Sequence, residues 1–313
     1  MEVGGAFLFS ISLTKTITAL VLIWLLFACA CNSGKPSTQN TAVRELTDDA
    51  GRRVPLPARV DRVISLAPNL TEVVFAVGAG DRLVGNTTYC DYPAEAKAIT
   101  KVGDSLQPSL ERIIALRPQV VLVSTASQLE VFTGQLQNQN IAVFVTDPHD
   151  LEGVFRSIEQ IGEILGLTQQ ATVLVNKLRD RVNAVAQAVQ HTKPVRVFYQ
   201  ASEEPLYTTG RDAYITDLIR RAGAISVTAD VPGAWPKYSK ESALASRPDA
   251  IILPTGGSMG AANSSVTEAL RTSPAMLNGR VYKINDDYLA RPGPRVIDGL
   301  EAMARALHPE AFK

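Results

Sequence analysis

A long helical pattern in the middle of the sequence separates two regions in which strand and helix patterns alternate. From residue 151 to about 190 the apolar residues keep a helical spacing, and no strand pattern interrupts them. The later part, 169–190, would form a helix about 33 Å long at 1.5 Å per residue. On either side, short apolar runs typical of buried strands alternate with helical segments. The sequence therefore predicts two α/β lobes with mostly parallel sheets, bridged by this helix.

The predicted elements divide between the two regions. A hairpin of 43–47 and 53–56 surrounds the turn sequence Asp48-Asp49-Ala50-Gly51. The first region is then predicted to have strands at 62–66, 83–85, 120–123 and 142–145, and helices at 70–77, 110–116 and 132–138. The second is predicted to have strands at 195–199, 250–253 and 281–284, and helices at 214–222 and 296–307. We therefore expect an N-terminal lobe at 43–150, a linking helical segment at 151–193 and a C-terminal lobe at 194–313.

A repeat relates the two halves. Glu111 precedes Arg117-Pro118 by the same spacing with which Glu241 precedes Arg247-Pro248, and a buried-strand pattern follows each pair. The repeat lies on either side of the long helical segment, which indicates two similar lobes that face each other. A cleft between domains is where ligands usually bind.

The amino terminus has the pattern of a secretion signal. Lys15 precedes an apolar run at 17–28, and a polar stretch at 32–40 follows. We expect 1–28 to be a signal peptide, with an uncleaved anchor helix as the alternative. Leu26-Phe27-Ala28-Cys29 resembles a bacterial lipobox, so Cys29 is expected to carry a lipid, with Cys31 as the alternative, and 29–42 to be a flexible tether. The mature protein would be lipid-anchored, in the periplasm or on the outer face of the cytoplasmic membrane, with Cys90 as a small partly buried residue.

The composition and motifs argue against several functions. The chain has 31 lysines and arginines and 31 aspartates and glutamates, so no positive excess favours nucleic acid. Its histidines lack metal-site spacing, and it has no nucleophile elbow, phosphate loop or dinucleotide-binding signature. We therefore expect no catalytic residues, no metal and no cofactor. An exported hydrolase that uses Ser65 or Asp91 remains the alternative from another class.

Candidate binding residues lie in loops after predicted strands. Tyr89 follows a strand in the first lobe, and Trp235 stands in a proline-containing loop of the second. A large ring on a loop offers a flat apolar surface to a flat ligand, although Trp235 could instead belong to the core. Asp287 and Arg291 offer a carboxylate and a guanidinium suited to amide or carboxylate groups, or they form a local salt bridge.

Five segments together resemble the helical-backbone class of substrate-binding proteins of ABC importers, and within it the vitamin B12 (cobalamin)-binding proteins. These segments are 62–72, 89–93, 109–118, 235–241 and 287–295. The resemblance implies two Rossmann-like lobes joined by one rigid helix, with the ligand held between them. It also implies that Glu111 and Glu241 form salt bridges to arginines of the membrane permease. In cobalamin-binding relatives, four positions that contact the corrin or its side chains match residues of this chain. These residues are Tyr89, Trp235, Asp287 and Arg291.

The resemblance carries one departure that concerns the ligand. The best-known cobalamin binders have further tryptophans in the first lobe, at positions where this chain has Ser105 and Ser124. The first lobe is therefore expected to offer fewer aromatic side chains to the ligand. We expect a monomer that transports a corrinoid. Haem, with Tyr89 on its iron, and a ferric siderophore are alternative ligands. An adhesion or sensor module without a permease is a third possibility.

Overall fold

The computed structural model describes residues 44–124, 130–257 and 265–313. The expectations for the signal peptide, for the lipid on Cys29 and for the tether fall outside these residues. Within the described part of the chain, no helix is both long and apolar enough to cross a membrane.

The first lobe is a parallel sheet preceded by a hairpin. Strands β1 and β2 pair antiparallel, and the next four pair in parallel in the order β4-β3-β5-β6. The first four residues of β5 are buried because helices cover both sides of the sheet, which explains its unbroken apolar run. The elements are β1 Arg44–Thr47, β2 Arg53–Leu56, β3 Val63–Ser65, α1 Pro68–Ala76, β4 Leu83–Asn86, α2 Leu110–Ala115, β5 Val120–Ser124, α3 Glu130–Gln137 and β6 Ala142–Thr146.

Two helices carry the chain from the first sheet to the second, α4 Leu151–Ile164 and α5 Thr168–Val189. The carboxylate of Asp150 caps α4 by accepting a hydrogen bond of 2.6 Å from the backbone N–H of Gly153. Gly166 then breaks the helical path, since its φ of 68° suits glycine. The apolar face of α5 is buried at helical spacing, through Ala171, Val175, Leu178, Val182, Val185 and Val189.

The second lobe repeats the topology of the first. Its parallel strands lie in the order β9-β7-β10-β11, which matches β4-β3-β5-β6 strand for strand, and β8 is an added antiparallel strand beside β7. The prediction of two similar α/β lobes is thus confirmed. The elements are β7 Val195–Ser202, β8 Tyr207–Thr208, α6 Tyr214–Arg221, β9 Ala224–Ser226, α7 Lys240–Ala245, β10 Ala250–Thr255, α8 Pro274–Leu277, β11 Val281–Asn285, α9 Asp286–Leu289 and α10 Val296–Leu307.

One hydrophobic core runs through both lobes. It joins α1 of the first lobe, the linking helices α4 and α5, and α6 and α10 of the second lobe. The opposite sides of the two sheets have separate cores. A continuous core resists relative motion, because sliding one lobe would expose close-packed apolar surface. Representative members of the shared core are Leu70, Val73, Ile158, Val175, Val182, Ile215, Leu218, Ile297 and Leu300.

The sequence repeat is also a structural repeat. Helices α2 and α7 each begin at a serine, Ser109 or Ser239, whose hydroxyl accepts a hydrogen bond from a backbone N–H of the first turn. Each helix is followed by an arginine in the left-handed region, Arg117 with φ 45° and Arg247 with φ 44°. The proline and buried strand then follow in both halves. The two glutamates of the repeat therefore occupy equivalent positions in the first turns of α2 and α7.

The left-handed arginines lead to a stability prediction. A non-glycine residue in this conformation costs roughly 1–2 kcal/mol, which glycine avoids. We expect Arg247→Gly to raise the free energy of unfolding by about 0.5–1 kcal/mol in urea denaturation, because the gain is partly offset by the freedom of glycine in the unfolded chain. The control Ala245→Gly, at the exposed end of α7, should lower it by about 0.5–1 kcal/mol. A loss of stability in Arg247→Gly as large as in the control would contradict the prediction.

Candidate functional site

Among the described residues, segments that follow the carboxyl ends of the strands join the two lobes at two places. After β6, the ring of His149 lies 3.0 Å from the carbonyl of Asp212 in the second lobe, and the N–H of Leu151 donates to the Asp217 carboxylate over 3.1 Å. A cavity of about 520 Å³ lies beside this contact. The bond to Asp212 is the main cause that raises the pKa of His149 above its usual value. The second contact joins the loop after β4 to the segment after β11 and contains most of the predicted site.

Arg291 is the centre of this second contact. It follows α9, and its side chain is 2% exposed. Its guanidinium lies 2.8 Å from Asp91 and 3.3 Å from Glu72, both in the first lobe, and 2.9 Å from Asp287. It also donates to the backbone carbonyl of Tyr89 over 3.4 Å. Arg291 therefore ties three carboxylates and the loop of Tyr89 into one group.

Arg295 extends the group. Its Nε donates to Glu72 Oε2 over 2.9 Å and its Nη2 to Oε1 over 2.5 Å. The guanidinium carbon also lies 4.0 Å from the centre of the Tyr92 ring, a cation–π contact between the lobes. Burial opposes the charge of Arg295, but the hydrogen bond and charge of Glu72 raise its pKa above the ordinary value. We call Glu72, Asp91, Asp287, Arg291 and Arg295 the interlobe ion cluster.

The most exposed member of the interlobe ion cluster is a carboxylate of the first lobe. The Asp91 side chain is 31% exposed, against 16% for Asp287, 14% for Arg295 and 2% for both Arg291 and Glu72. Three carboxylates also outnumber two guanidinium groups. Burial, and after it the charge of Asp287, raises the pKa of the neighbouring Asp286, while Arg291 lowers it. The accessible face of the cluster thus has hydrogen-bond acceptors and an excess of negative charge.

Tyr89 is half-buried in a loop that a lysine holds in place. The ammonium of Lys101 donates to the side-chain carbonyl of Asn86 over 2.8 Å and to the backbone carbonyls of Cys90 and Ala96, each over 3.1 Å. Burial is the main cause that lowers the pKa of Lys101. Cys90 is a free, buried thiol. The loop of Tyr89 is therefore fixed at both of its ends.

Trp235 stands apart from the interlobe ion cluster and is not a core residue. It is 43% exposed, and its ring centre lies 6.2 Å from that of the buried Tyr199. Its loop is tied to the segment after β8, since Gly210 N–H donates to the Ala234 carbonyl over 2.9 Å. The ring is thus held on a fixed loop with part of its surface open to solvent.

The remaining predicted residues lie elsewhere. Glu111 and Glu241 are exposed in the first turns of α2 and α7, one on each lobe and outside the interlobe ion cluster. Ser65, the hydrolase candidate, is fully buried, and its hydroxyl bonds to that of Thr71. Across 44–124, 130–257 and 265–313, no three histidine, cysteine or acidic side chains are grouped so that they could hold a metal ion.

The partners of Arg291 are not evident from the sequence. The sequence patterns suggest Asp91 only as a hydrolase residue and give Glu72 no role, yet both carboxylates contact Arg291. Asp287 and Arg291 do form a local salt bridge, as the alternative interpretation predicts. That interpretation is incomplete, because two carboxylates of the other lobe also contact Arg291. The available signal was that Glu72 is the one charged residue of α1, directly before the apolar run Val73-Val74-Phe75-Ala76.

Comparison with known proteins gives a consistent assignment. The sequence model of the periplasmic binding protein family matches residues 63–288. The chain is 32% identical over 284 residues to an uncharacterised ABC transporter substrate-binding lipoprotein of Bacillus subtilis, YvrC, covering 88% of this chain and 89% of that protein. It is 30% identical over 247 residues to the vitamin B12-binding protein of Photorhabdus laumondii, covering 79% of this chain and 88% of the other.

Solved structures share the fold. The periplasmic vitamin B12-binding protein BtuF of Vibrio cholerae superposes with a TM-score of 0.71 at 26% identity, over 81% of this chain and 98% of that one. The periplasmic haem-binding protein RhuT of Roseiflexus has a TM-score of 0.72 at 24% identity, over 80% and 99% of the two chains. At that identity the second likeness concerns the fold alone.

Proposed function

The chain belongs to the periplasmic binding protein family, whose members bind solutes for transport and are not enzymes, and we propose that it captures a corrinoid between its two lobes. In this proposal the protein delivers the corrinoid to the permease of an ABC importer. The corrinoid is the transported ligand and not a cofactor. Relatives named for vitamin B12 binding support this choice of ligand.

The single observation that carries the corrinoid assignment is the charge of the interlobe ion cluster. Its two most exposed members, Asp91 at 31% and Asp287 at 16%, are carboxylates, whereas Arg295 is 14% and Arg291 2% exposed, and the three carboxylates outnumber the two guanidinium groups. Carboxylate oxygens accept hydrogen bonds from amide N–H groups, which surround a cobalamin corrin ring. The carboxylates of haem and the anionic ferric siderophores would instead meet like charge, and like charges that meet on binding cost several kcal/mol.

Aromatic surface supplies the second part of the proposed site. The exposed face of Trp235 and the half-buried ring of Tyr89, one from each lobe, are proposed to contact the corrin. Asp287 is proposed to accept hydrogen bonds from its amides. Arg291, which was also expected to touch the ligand, would act there mainly by holding Asp287 in place.

Calorimetric titration of the purified protein tests this proposal. Cyanocobalamin is expected to bind at one site, and Trp235→Ala to weaken binding at least about tenfold, or 1.4 kcal/mol. The matched control Tyr207→Ala removes another exposed aromatic ring of the second lobe, 38% exposed, and should leave the affinity unchanged. Haemin, with Tyr89 as a possible iron ligand, and a ferric siderophore are titrated alongside. Tight binding of either one, with no heat from cyanocobalamin, would refute the corrinoid assignment.

The proposal also includes export and docking. Residues 1–28 would direct export, Cys29 would carry the lipid, and 29–42 would tether a monomer to the membrane, consistent with a relative named as a lipoprotein. The lobes would span 43–150 and 194–313, with 151–193 between them. Glu111 and Glu241 would contact the permease.

A further inference from the structure

We propose that Glu72 is a positioning residue, which holds the two lobes at one separation and thereby fixes the loop of Tyr89 relative to Asp287. The effect on the ligand rests on the function proposed above, whereas the effect on the lobes does not. Neither the sequence patterns nor the comparisons assign a role to Glu72.

Helix α1 holds the carboxylate of Glu72 inside the protein. Glu72 lies in the middle of α1, between Leu70 and Val73 of the shared core, and its side chain is 2% exposed. Burying an ionised carboxylate is strongly unfavourable unless it is paired with opposite charge and hydrogen-bonded. Since its helix is anchored in the core, Glu72 cannot follow a moving partner. It is therefore a fixed point of the first lobe.

Both arginines that pair with Glu72 come from the other lobe. Glu72 accepts hydrogen bonds from Arg291 over 3.3 Å and from two nitrogens of Arg295 over 2.9 and 2.5 Å. The two arginines lie on either side of a close backbone approach, where a Cβ added at Gly293 would meet the Asn69 carbonyl at 3.2 Å. The amide of Asn69 also donates to the Pro292 carbonyl over 3.4 Å. The lobes are thus in direct contact around Glu72.

Arg291 links Glu72 to the proposed ligand site. The guanidinium that Glu72 holds also bonds Asp91, Asp287 and the Tyr89 carbonyl. A shift of Arg291 would therefore move the first-lobe loop and the second-lobe carboxylate relative to each other. Removing one member of a buried ionic group leaves the others poorly compensated, and such groups can serve to specify one arrangement of the chain. Glu72 is thus expected to act on ligand affinity without touching the ligand.

The test measures the distance between the lobes in the ligand-free protein. Spin labels are placed on cysteines introduced at Lys97 of the first lobe and Arg271 of the second, both exposed, in a chain whose three native cysteines are serine. Electron–electron double resonance is expected to give one narrow distance distribution. Glu72→Gln, which keeps the shape and removes the charge, should broaden or shift it and weaken cyanocobalamin binding at least about tenfold.

Two further variants keep the test decisive. Arg295→Met removes a partner instead of Glu72 and should broaden the same distribution, so the proposal stays falsifiable if Glu72→Gln fails to fold. The control is Glu301→Gln, which breaks a 2.8 Å ion pair with Arg181. This pair joins α5 to α10 and does not involve the first lobe, so the control should leave the distance distribution narrow. Distributions as narrow as in the unsubstituted protein for both test variants would overturn the proposal. This outcome is independent of whether cyanocobalamin binds, so it is distinguishable from a failure of the corrinoid assignment.

Discussion

Reversing the charge of both Glu111 and Glu241 to lysine is expected to abolish corrinoid uptake while ligand affinity stays unchanged. The two glutamates are exposed at equivalent positions of the repeat, one on each lobe. A partner with two basic sites would therefore meet two equivalent acidic contacts. Each reversal would replace attraction by repulsion at a proposed docking contact, and like charges that meet in an interface cost several kcal/mol.

The fold should tolerate these substitutions. A carboxylate near a helix amino terminus contributes only about 0.3–1 kcal/mol through the helix dipole. Growth that depends on corrinoid uptake measures transport, and calorimetry with cyanocobalamin measures affinity. The control variant reverses the charges of Glu95 and Glu268 by substitution with lysine and should leave uptake normal. These acidic residues lie in the first turns of short 3₁₀ helices, one in each lobe. Normal uptake by the Glu111→Lys, Glu241→Lys variant would contradict a docking role and favour a module that works without a permease.

Replacing Arg291 by methionine is expected to lower the free energy of unfolding by about 3–5 kcal/mol, the range for breaking a buried ion pair. The guanidinium is 2% exposed and lies within 3.3 Å of three carboxylates. Its loss leaves Arg295 as the sole guanidinium of the interlobe ion cluster, although methionine fills much of the volume. Glu72 and Asp91 would then lie close to Asp287 with less opposite charge.

Urea denaturation of the ligand-free protein measures this effect, with a fall in Tm of roughly 10 °C as a second readout. The matched control is Arg59→Met, whose side chain is 80% exposed beside Asp61 and whose ion pair contributes at most about 1 kcal/mol. A change in Arg291→Met no larger than in the control would show that the interlobe ion cluster does not stabilise the protein. The role of Glu72 would then also lose its support.

The sequence predicts the long elements well because their patterns are local. The period of buried residues in α5 and α10 and the apolar run of β5 follow from helix and strand geometry alone. By contrast, β8 has two residues and β9 three, too few to show a period. The order of strands within each sheet also lies beyond local patterns, because it depends on pairing between distant segments.

The candidate site is only partly accessible to sequence reasoning. Trp235 and Tyr89 could be found because large rings in loops are unusual. The sequence could indicate Arg291 as a site residue. It could not indicate that Arg291 is buried, because its partner Glu72 lies 219 residues away in the chain. The pairing arises from the packing of the lobes, which brings the segment after β11 against α1. The arrangement of charges at the site therefore depends on how the two lobes pack and cannot be read from any one segment of the sequence.

The assignment of a corrinoid as the ligand can be decided by mass spectrometry of the small molecule that co-purifies with the protein from its native host. The protein is isolated without added ligand, and the bound small molecule is released and identified by its mass. We predict a corrinoid in stoichiometric amount, and its loss from protein that carries Trp235→Ala. Haem or a ferric siderophore in that amount, with no corrinoid, would contradict the claim.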